Sequence, residues 1–295
     1  MRIGLMVQYS KKEVDFLSSV GFGSCELLVG PGQALDPAVT SKDDIMRAKD
    51  LLAERDIKVS AIAHHENHLH PDKATRTAHN EHFKRLMDLA LMMDVDTVCT
   101  FAGRDPEKGI ADNMPAFKEI WTPMAKMAED KDLKIGFENC PMFYYFPFRG
   151  TNIAYTPVAW DMMFDAVPSD ALGIEWDPSH LICLLIDPYQ NILDYGDKIV
   201  SVHAKDGEVD WNWVHKNGWF EEGAVAHRTP GMGVIDWNRV VSNLTKVGYR
   251  GNLDIEGRHD LVFKGDLEDQ GVVFSYNHLL QAIGGKQDLW TDETN

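Results

Sequence analysis

Eight short apolar, β-branched runs recur along the chain, and helix-length stretches lie between most of them. The runs are Ile3–Gln8, Cys25–Val29, Val59–His64, Thr97–Phe101, Ile135–Glu138, Leu172–Asp177, Ile199–His203 and Leu253–Glu256, and they read as strands. Phe83, Leu86, Met87, Ala90 and Leu91 follow the spacing of one buried helix face, as do Trp237, Val240, Val241 and Leu244. The stretch after Cys183 carries the weakest helical pattern, because Asp187-Pro188 interrupts it early. This alternation predicts an α/β fold, a closed (β/α)8 TIM barrel. An open doubly wound sheet shares the alternation, but no GxGxxG follows the first strand, so its dinucleotide-binding form has no support. Such barrels run to about 250 residues or more as one unit, so a single domain over residues 1–295 is expected. The polar tail from about Gly284 (GGKQDLWTDETN) reads as loosely held.

Charge narrows the partners. Lys+Arg number 29 against 46 Asp+Glu, a net charge of −17. Nucleic acid is held mainly by Lys and Arg, so neither it nor an anionic membrane surface is an expected partner. The N-terminus lacks the core of a signal peptide, and no run approaches the ~20 apolar residues of a membrane span. Cys25, Cys99, Cys140 and Cys183 are scattered without CxxC spacing, as reduced thiols of a cytoplasmic protein would be.

Active sites of such barrels form at the C-terminal ends of the strands. Four late strands end in residues that bind metals or move protons: Glu138 in IGFENCP, Asp177 in GIEWDPSH, His203 in VSVHAKD and Glu256 in LDIEGRHD. Each alone is an ordinary strand-end polar residue. Closing the barrel brings all four to one mouth, where three carboxylates stay ionised only if a cation neutralises them. Three oxygens and one imidazole suit Mn²⁺, Mg²⁺ or Co²⁺, with Zn²⁺ also possible, and Mn²⁺ is the first choice. Glu26 and Asp254 also lie in strands and are expected to pair with a barrel Lys or Arg.

With these residues in view, the chain resembles the sugar phosphate isomerase/epimerase family, the xylose-isomerase-like barrels, over essentially its whole length. The most specific part is VHAKD followed, after a long loop, by HRTPGMGVIDW and then IE at the last strand. The resemblance implies that Glu138, Asp177, His203 and Glu256 hold one divalent metal. It also implies that Glu138 and Glu256 flank the substrate as acid and base, that His180 touches metal or substrate, and that Arg228 contacts substrate oxygens. The same barrel includes endonuclease-IV-like repair enzymes with a zinc cluster, and His64, His180 and His227 fall near such positions. The fourth strand, however, ends Cys99-Thr100-Phe101-Ala102-Gly103 without a histidine, which with the charge disfavours a nuclease. Gly257-Arg258-His259-Asp260 replaces the usual acidic follow-up and leaves the substrate class open.

His64-His65-Glu66-Asn67-His68-Leu69-His70 is not HExxH, since Leu69 stands where the second histidine belongs. His64, at the strand end, is expected to face the site, and the other histidines to be solvated or at most to back the ligands. Strand alternation puts Lys205 on the side of His203, where it can reach a substrate oxygen or pair with a neighbouring carboxylate. The stretch from Gly207 to Gly233, with Trp211, Trp213, Trp219 and Phe220, reads as a lid whose Trp219 stacks on a sugar; the alternative is a subunit interface. Phe143, Tyr144, Tyr145 and Phe146, within Pro141–Thr151, lean toward an interface and hence a homo-oligomer.

Together these residues predict a metal-dependent isomerase or epimerase of a sugar, keto-sugar or cyclitol, working through proton abstraction and a metal-held enediolate. The alternatives are a keto-sugar lyase or dehydratase, of inosose dehydratase or 3-keto-glycoside-cleaving type, and a non-catalytic sugar-binding barrel. No P-loop or phosphate-binding nest appears, so a phosphorylated substrate has no positive support.

Overall fold

Every one of the eight apolar runs is a barrel strand. The computed structural model describes residues 1–145, 149–219 and 222–288. Phe146, Phe220 and the tail from residue 289 lie outside the described residues, as do the side chains of Tyr144 and Tyr145. The barrel strands are β1 (Arg2–Val7), β2 (Ser24–Leu28), β3 (Lys58–Ala63), β4 (Thr97–Thr100), β5 (Lys134–Glu138), β6 (Leu172–Trp176), β7 (Ile199–Ala204) and β8 (Asn252–Ile255). They pair in parallel in chain order, and β8 closes on β1 through Arg2↔Asn252 to Leu5↔Ile255. No helix among the described residues is long and apolar enough to cross a membrane.

The helices pack outside through the faces that sequence periodicity marks, with one exception. Phe83, Leu86, Met87 and Ala90 are buried in the helix Lys73–Met93, but Leu91 is 44% exposed, at the edge of the stripe. Cys183 ends a short helix, Pro178–Cys183, and the segment after it holds a second, Pro188–Tyr195. Asp187-Pro188 is a helix start rather than a break: the Asp187 carboxylate accepts the Tyr189 N–H at 2.8 Å, and Pro188 takes the first turn, where no donor is needed.

The described residues of the stretch expected as a lid form an excursion built on a hairpin. Asp206–Val209 pairs antiparallel with Val225–Arg228, and a short helix, Trp211–Asn217, sits between them. Buried Asp206 anchors its return, accepting N–H bonds from Gly231 and Ile235, each at 3.0 Å, and from the indole of Trp237. A Cβ on Gly233 would stand 2.2 Å from Asp206 Oδ1, which explains a glycine at that point of the PGMG turn.

The barrel interior is unusual for its polarity. In this architecture bulky branched residues commonly fill the inside. Here glycines, alanines and Cys99 make room for carboxylates. A Cβ on Gly4 would stand 1.7 Å from Asp254 Oδ1, and one on Gly136 would stand 2.9 Å from Cys99 Sγ and 3.3 Å from Glu175 Cβ. Ala61, Ala63 and Cys99 form a small apolar cluster of their own inside. Glu26, Glu175 and Asp254 are fully buried. Burial and the negative charge of Glu175 push Glu26 up to about 7. Burial and Glu26 push Asp254 up to about 8.

Candidate metal centre and active site

The C-terminal ends of β5, β6, β7 and β8 deliver Glu138, Asp177, His203 and Glu256, whose ligand atoms all lie within 4.8 Å of one another. His203 Nδ1 is 3.3 Å from Glu138 Oε1 and 3.5 Å from Glu256 Oε2. The other ring nitrogen, Nε2, points down the barrel and donates to Glu26 Oε2 at 2.9 Å. A carboxylate behind the imidazole leaves Nδ1 as the nitrogen available to an ion, an arrangement common at metal-binding histidines.

Asp177 divides its oxygens. Oδ1 accepts the Ser179 N–H at 2.7 Å and caps the helix Pro178–Cys183, with Pro178 at the first position. Asn139 holds the backbone on both sides, accepting from Asp177 N at 2.6 Å and donating to Asp177 O at 2.8 Å. Oδ2 is left toward the mouth, buried and without a hydrogen-bond partner among the described residues. The same cap puts His180 one turn on, its Nε2 3.4 Å from Asp177 Oδ2 and 3.5 Å from Glu138 Oε1.

Lys205 is the cation already present. It is 4% exposed, and its Nζ stands 3.1 Å from Asp177 Oδ2, 3.3 Å from His180 Nε2 and in close contact with Glu256 Oε2. Burial works against its charge, but Asp177, Glu256 and Glu138 hold the ammonium well above its ordinary pKa. Against the same burial, hydrogen bonds from His180 and His203 hold Glu138 well below the carboxylate range, and Lys205 with His203 does so for Glu256. Three oxygens and one imidazole fit a divalent ion, which these four residues can hold. Among the oxygens is Asp177 Oδ2, which accepts no hydrogen bond among the described residues and is met there only by ion-pair contacts to Lys205 and His180. An ion held there would share Asp177 and Glu256 with Lys205.

Other residues fall differently. His64 turns to Glu66, 3.3 Å away, and packs edge-on against His82, while His65 takes the inward place. His65 Nε2 donates to Glu175 Oε2 at 2.7 Å, lies 3.8 Å from Glu138 Oε2, and packs against Phe101. Burial opposes its charge, yet Glu175 and Glu138 push it up to about 9. His68, expected in solvent or behind the ligands, is buried and bonded to Asn80 and Thr100. Glu26 pairs with His203 rather than with a Lys or Arg, and Asp254 faces the interior beside Glu26.

Arg228 lies in the hairpin, its guanidinium committed to Glu208 at 2.7 Å and Asp260 at 3.0 Å. That pair ties the excursion to the loop after β8. In that loop His259 reaches Glu256 Oε1 at 3.3 Å and Arg258 reaches Glu13. His227 shares a 3.0 Å hydrogen bond with Ser179 and packs on His180. Trp219 packs against Trp211, whose ring centroid is 6.3 Å away, and Trp211 and Trp213 are exposed.

A closed parallel barrel with polar groups gathered at its C-terminal mouth is the architecture of the TIM-barrel class. Within it, the family model described as xylose isomerase-like TIM barrel matches residues 14–273, and the chain belongs to that family. It is 24% identical over 309 residues to the uncharacterized protein YfiH of Bacillus subtilis (strain 168), covering 92% of this chain and 94% of that one. Among solved structures it is similar to a D-tagatose 3-epimerase-like protein, with TM-score 0.75, 19% identity, and 96% and 97% of the two chains covered. It is also similar to the probable 3-DHS dehydratase AsbF of Bacillus anthracis, with TM-score 0.67, 15% identity, and 95% and 98% covered. At these identities the likeness shows the fold.

Proposed function

We propose that the protein is a cytoplasmic, divalent-metal-dependent isomerase or epimerase of a sugar, keto-sugar or cyclitol, with Mn²⁺ as the ion of first choice. The observation that carries this reading is the meeting of Glu138 and Glu256, from the ends of β5 and β8, at one nitrogen of His203, Nδ1, 3.3 and 3.5 Å away. When bound by Glu138, Asp177, His203 and Glu256, the ion supplies charge that acidifies a C–H bond beside a substrate carbonyl.

The side chains do the rest. Both glutamates are held ionised by their cationic neighbours, so either can accept a proton. One takes the proton from carbon, giving an enediolate. The other returns a proton to the opposite face in an epimerase, or to the adjacent carbon in an isomerase. Lys205 and His180 sit beside them and orient substrate oxygens by hydrogen bonding. The hairpin with Trp219 covers the substrate and excludes water.

Turnover in D₂O tests the reading. Deuterium is expected at the carbon next to the carbonyl, strongly in product and weakly in recovered substrate. A second reading, a keto-sugar lyase or dehydratase, is favoured by the Lys205 ammonium, which can hydrogen-bond a departing β-hydroxyl and stabilise its developing negative charge. It would release water or a small molecule and leave an unsaturated or cleaved sugar. Turnover with the original hydrogen fully retained and no leaving group would refute proton abstraction. Saturable sugar binding with neither exchange nor product would make the chain a binding protein.

A further inference from the structure

Beneath the mouth, a second group of metal-binding side chains faces the barrel axis. Glu26 from β2, His65 just after β3, Glu175 from β6 and His203 from β7 bring one ligand atom each within 4.8 Å of one another. His203 joins the two groups, Nδ1 facing Glu138 and Glu256 and Nε2 facing Glu26 and Glu175.

Hydrogen bonds do not account fully for this lower group. His203 Nε2 carries at most one proton, yet it stands 2.9 Å from Glu26 Oε2 and 3.2 Å from Glu175 Oε1. One proton bonds well to only one of these carboxylates, whereas a cation serves both. Glu26 Oε1 and Glu175 Oε1 are buried without a hydrogen-bond partner among the described residues, and both glutamates are 0% exposed. Ligand atoms around a tetrahedral zinc stand about 3.3 Å apart. Three contacts are shorter than that: His65 Nε2 to Glu175 Oε2 at 2.7 Å, His203 Nε2 to Glu26 Oε2 at 2.9 Å and His203 Nε2 to Glu175 Oε1 at 3.2 Å. One ligand atom from each residue lies within 4.8 Å of the others, so side-chain adjustment without backbone movement brings the four to one ion.

We propose that Glu26, His65, Glu175 and Nε2 of His203 form a second divalent-cation site, with two nitrogen and two oxygen donors suited to zinc. With both groups filled, His203 bridges the two ions as an imidazolate, its ring protons released to solvent. The site lies below the mouth and shares His203 with the upper group, but Glu26, His65 and Glu175 take no part in the proton transfers proposed above.

The test is a metal count on the intact, folded protein. Protein stripped with a chelator is titrated with Zn²⁺ and separately with Co²⁺, and occupancy is read by native mass spectrometry and elemental analysis. Wild type is expected to take up two ions per chain. The second Co²⁺ equivalent should bring the strong visible bands of a four-coordinate ion. Asp177→Asn with Glu256→Gln should bind one ion, and so should His65→Asn, which also loses the four-coordinate bands. Glu26→Gln provides a second lower-group variant should His65→Asn fail to fold. A wild type that binds a single ion, with an affinity that neither lower-group variant alters, would overturn the inference and leave the group as a hydrogen-bonded network. Two ions without turnover would support this site while counting against the proposed reaction, and one ion with deuterium exchange would do the reverse.

Discussion

Replacing Lys205 with methionine keeps much of the side chain's volume and removes the ammonium that joins Asp177 to Glu256. The site is deeply buried, with Lys205 4% exposed and Asp177 0%. Taking one partner from a buried pair leaves uncompensated charge and costs about 3–5 kcal/mol. At about 2 °C per kcal/mol for a chain of this size, the metal-free variant should melt roughly 6–10 °C below wild type. Metal binding should change in the opposite sense, because an ion placed among the same carboxylates no longer competes with the ammonium. If about 2 kcal/mol of the loss returns on binding, the ion is held about 30-fold more tightly. Calorimetry of chelator-stripped protein measures the first effect, and titration with Mn²⁺ measures the second. Turnover should fall, since a substrate contact is lost. A metal-free variant as stable as wild type, with unchanged Mn²⁺ affinity, would refute the view that Lys205 neutralises the site.

Trp219→Ala is expected to raise KM or lower kcat without unfolding; unchanged kinetics with a changed oligomeric state would make the excursion an interface instead. Gly4→Ala drives a Cβ into Asp254 and should destabilise the barrel by about 1–3 kcal/mol in chemical denaturation, whereas an unchanged midpoint would show that the interior yields. Asp254, pushed up to about 8, keeps its proton in the fold where the unfolded chain has lost it. Its contribution to stability is complete below about pH 4 and declines by up to about 1.4 kcal/mol per pH unit as pH rises through its folded pKa. Asp254→Asn mimics the protonated form, so the variant should match wild type in acid and become the more stable of the two by pH 9. Parallel pH–stability curves would contradict this.

The strands were legible because apolar, β-branched runs separated by helix-length segments have few other ways to be buried. The mouth residues followed from the rule that barrels place chemistry at strand ends. His65 was missed although alternation contained the signal: Ala61 and Ala63 face inward, and the next position of that parity is 65, not 64. The same parity identified Lys205 from His203. Length and tryptophans marked the excursion, but no local pattern marks its hairpin, since DGEV and VAHR are short and partly polar, and their pairing joins positions about twenty residues apart. Arg228 raises a similar difficulty. Its partner Asp260 lies beyond the last strand, and only the folded chain brings the two together. The polar interior was unreadable for another reason: Glu26 and Asp254 resemble strand residues awaiting a barrel Lys or Arg until Gly4, beside Asp254, shows that space was cleared for a buried carboxylate.

Asp177 has a consequence for how this mouth can vary. A metal ligand is often exchangeable for another carboxylate of different reach, because the ion asks only for an oxygen in the right place. Here the aspartate also begins a helix of six residues, and that helix carries His180. Glutamate can bring an oxygen to an ion but is a poor helix cap, whereas asparagine can cap but brings one negative charge fewer. The length of this side chain is therefore set by the helix, and its charge by the mouth. A change that satisfies one requirement while failing the other would loosen His180 or weaken the ion. If the mouth holds an ion as proposed, Asp177 is thus the residue through which the order of a helix and the occupancy of the site become one variable.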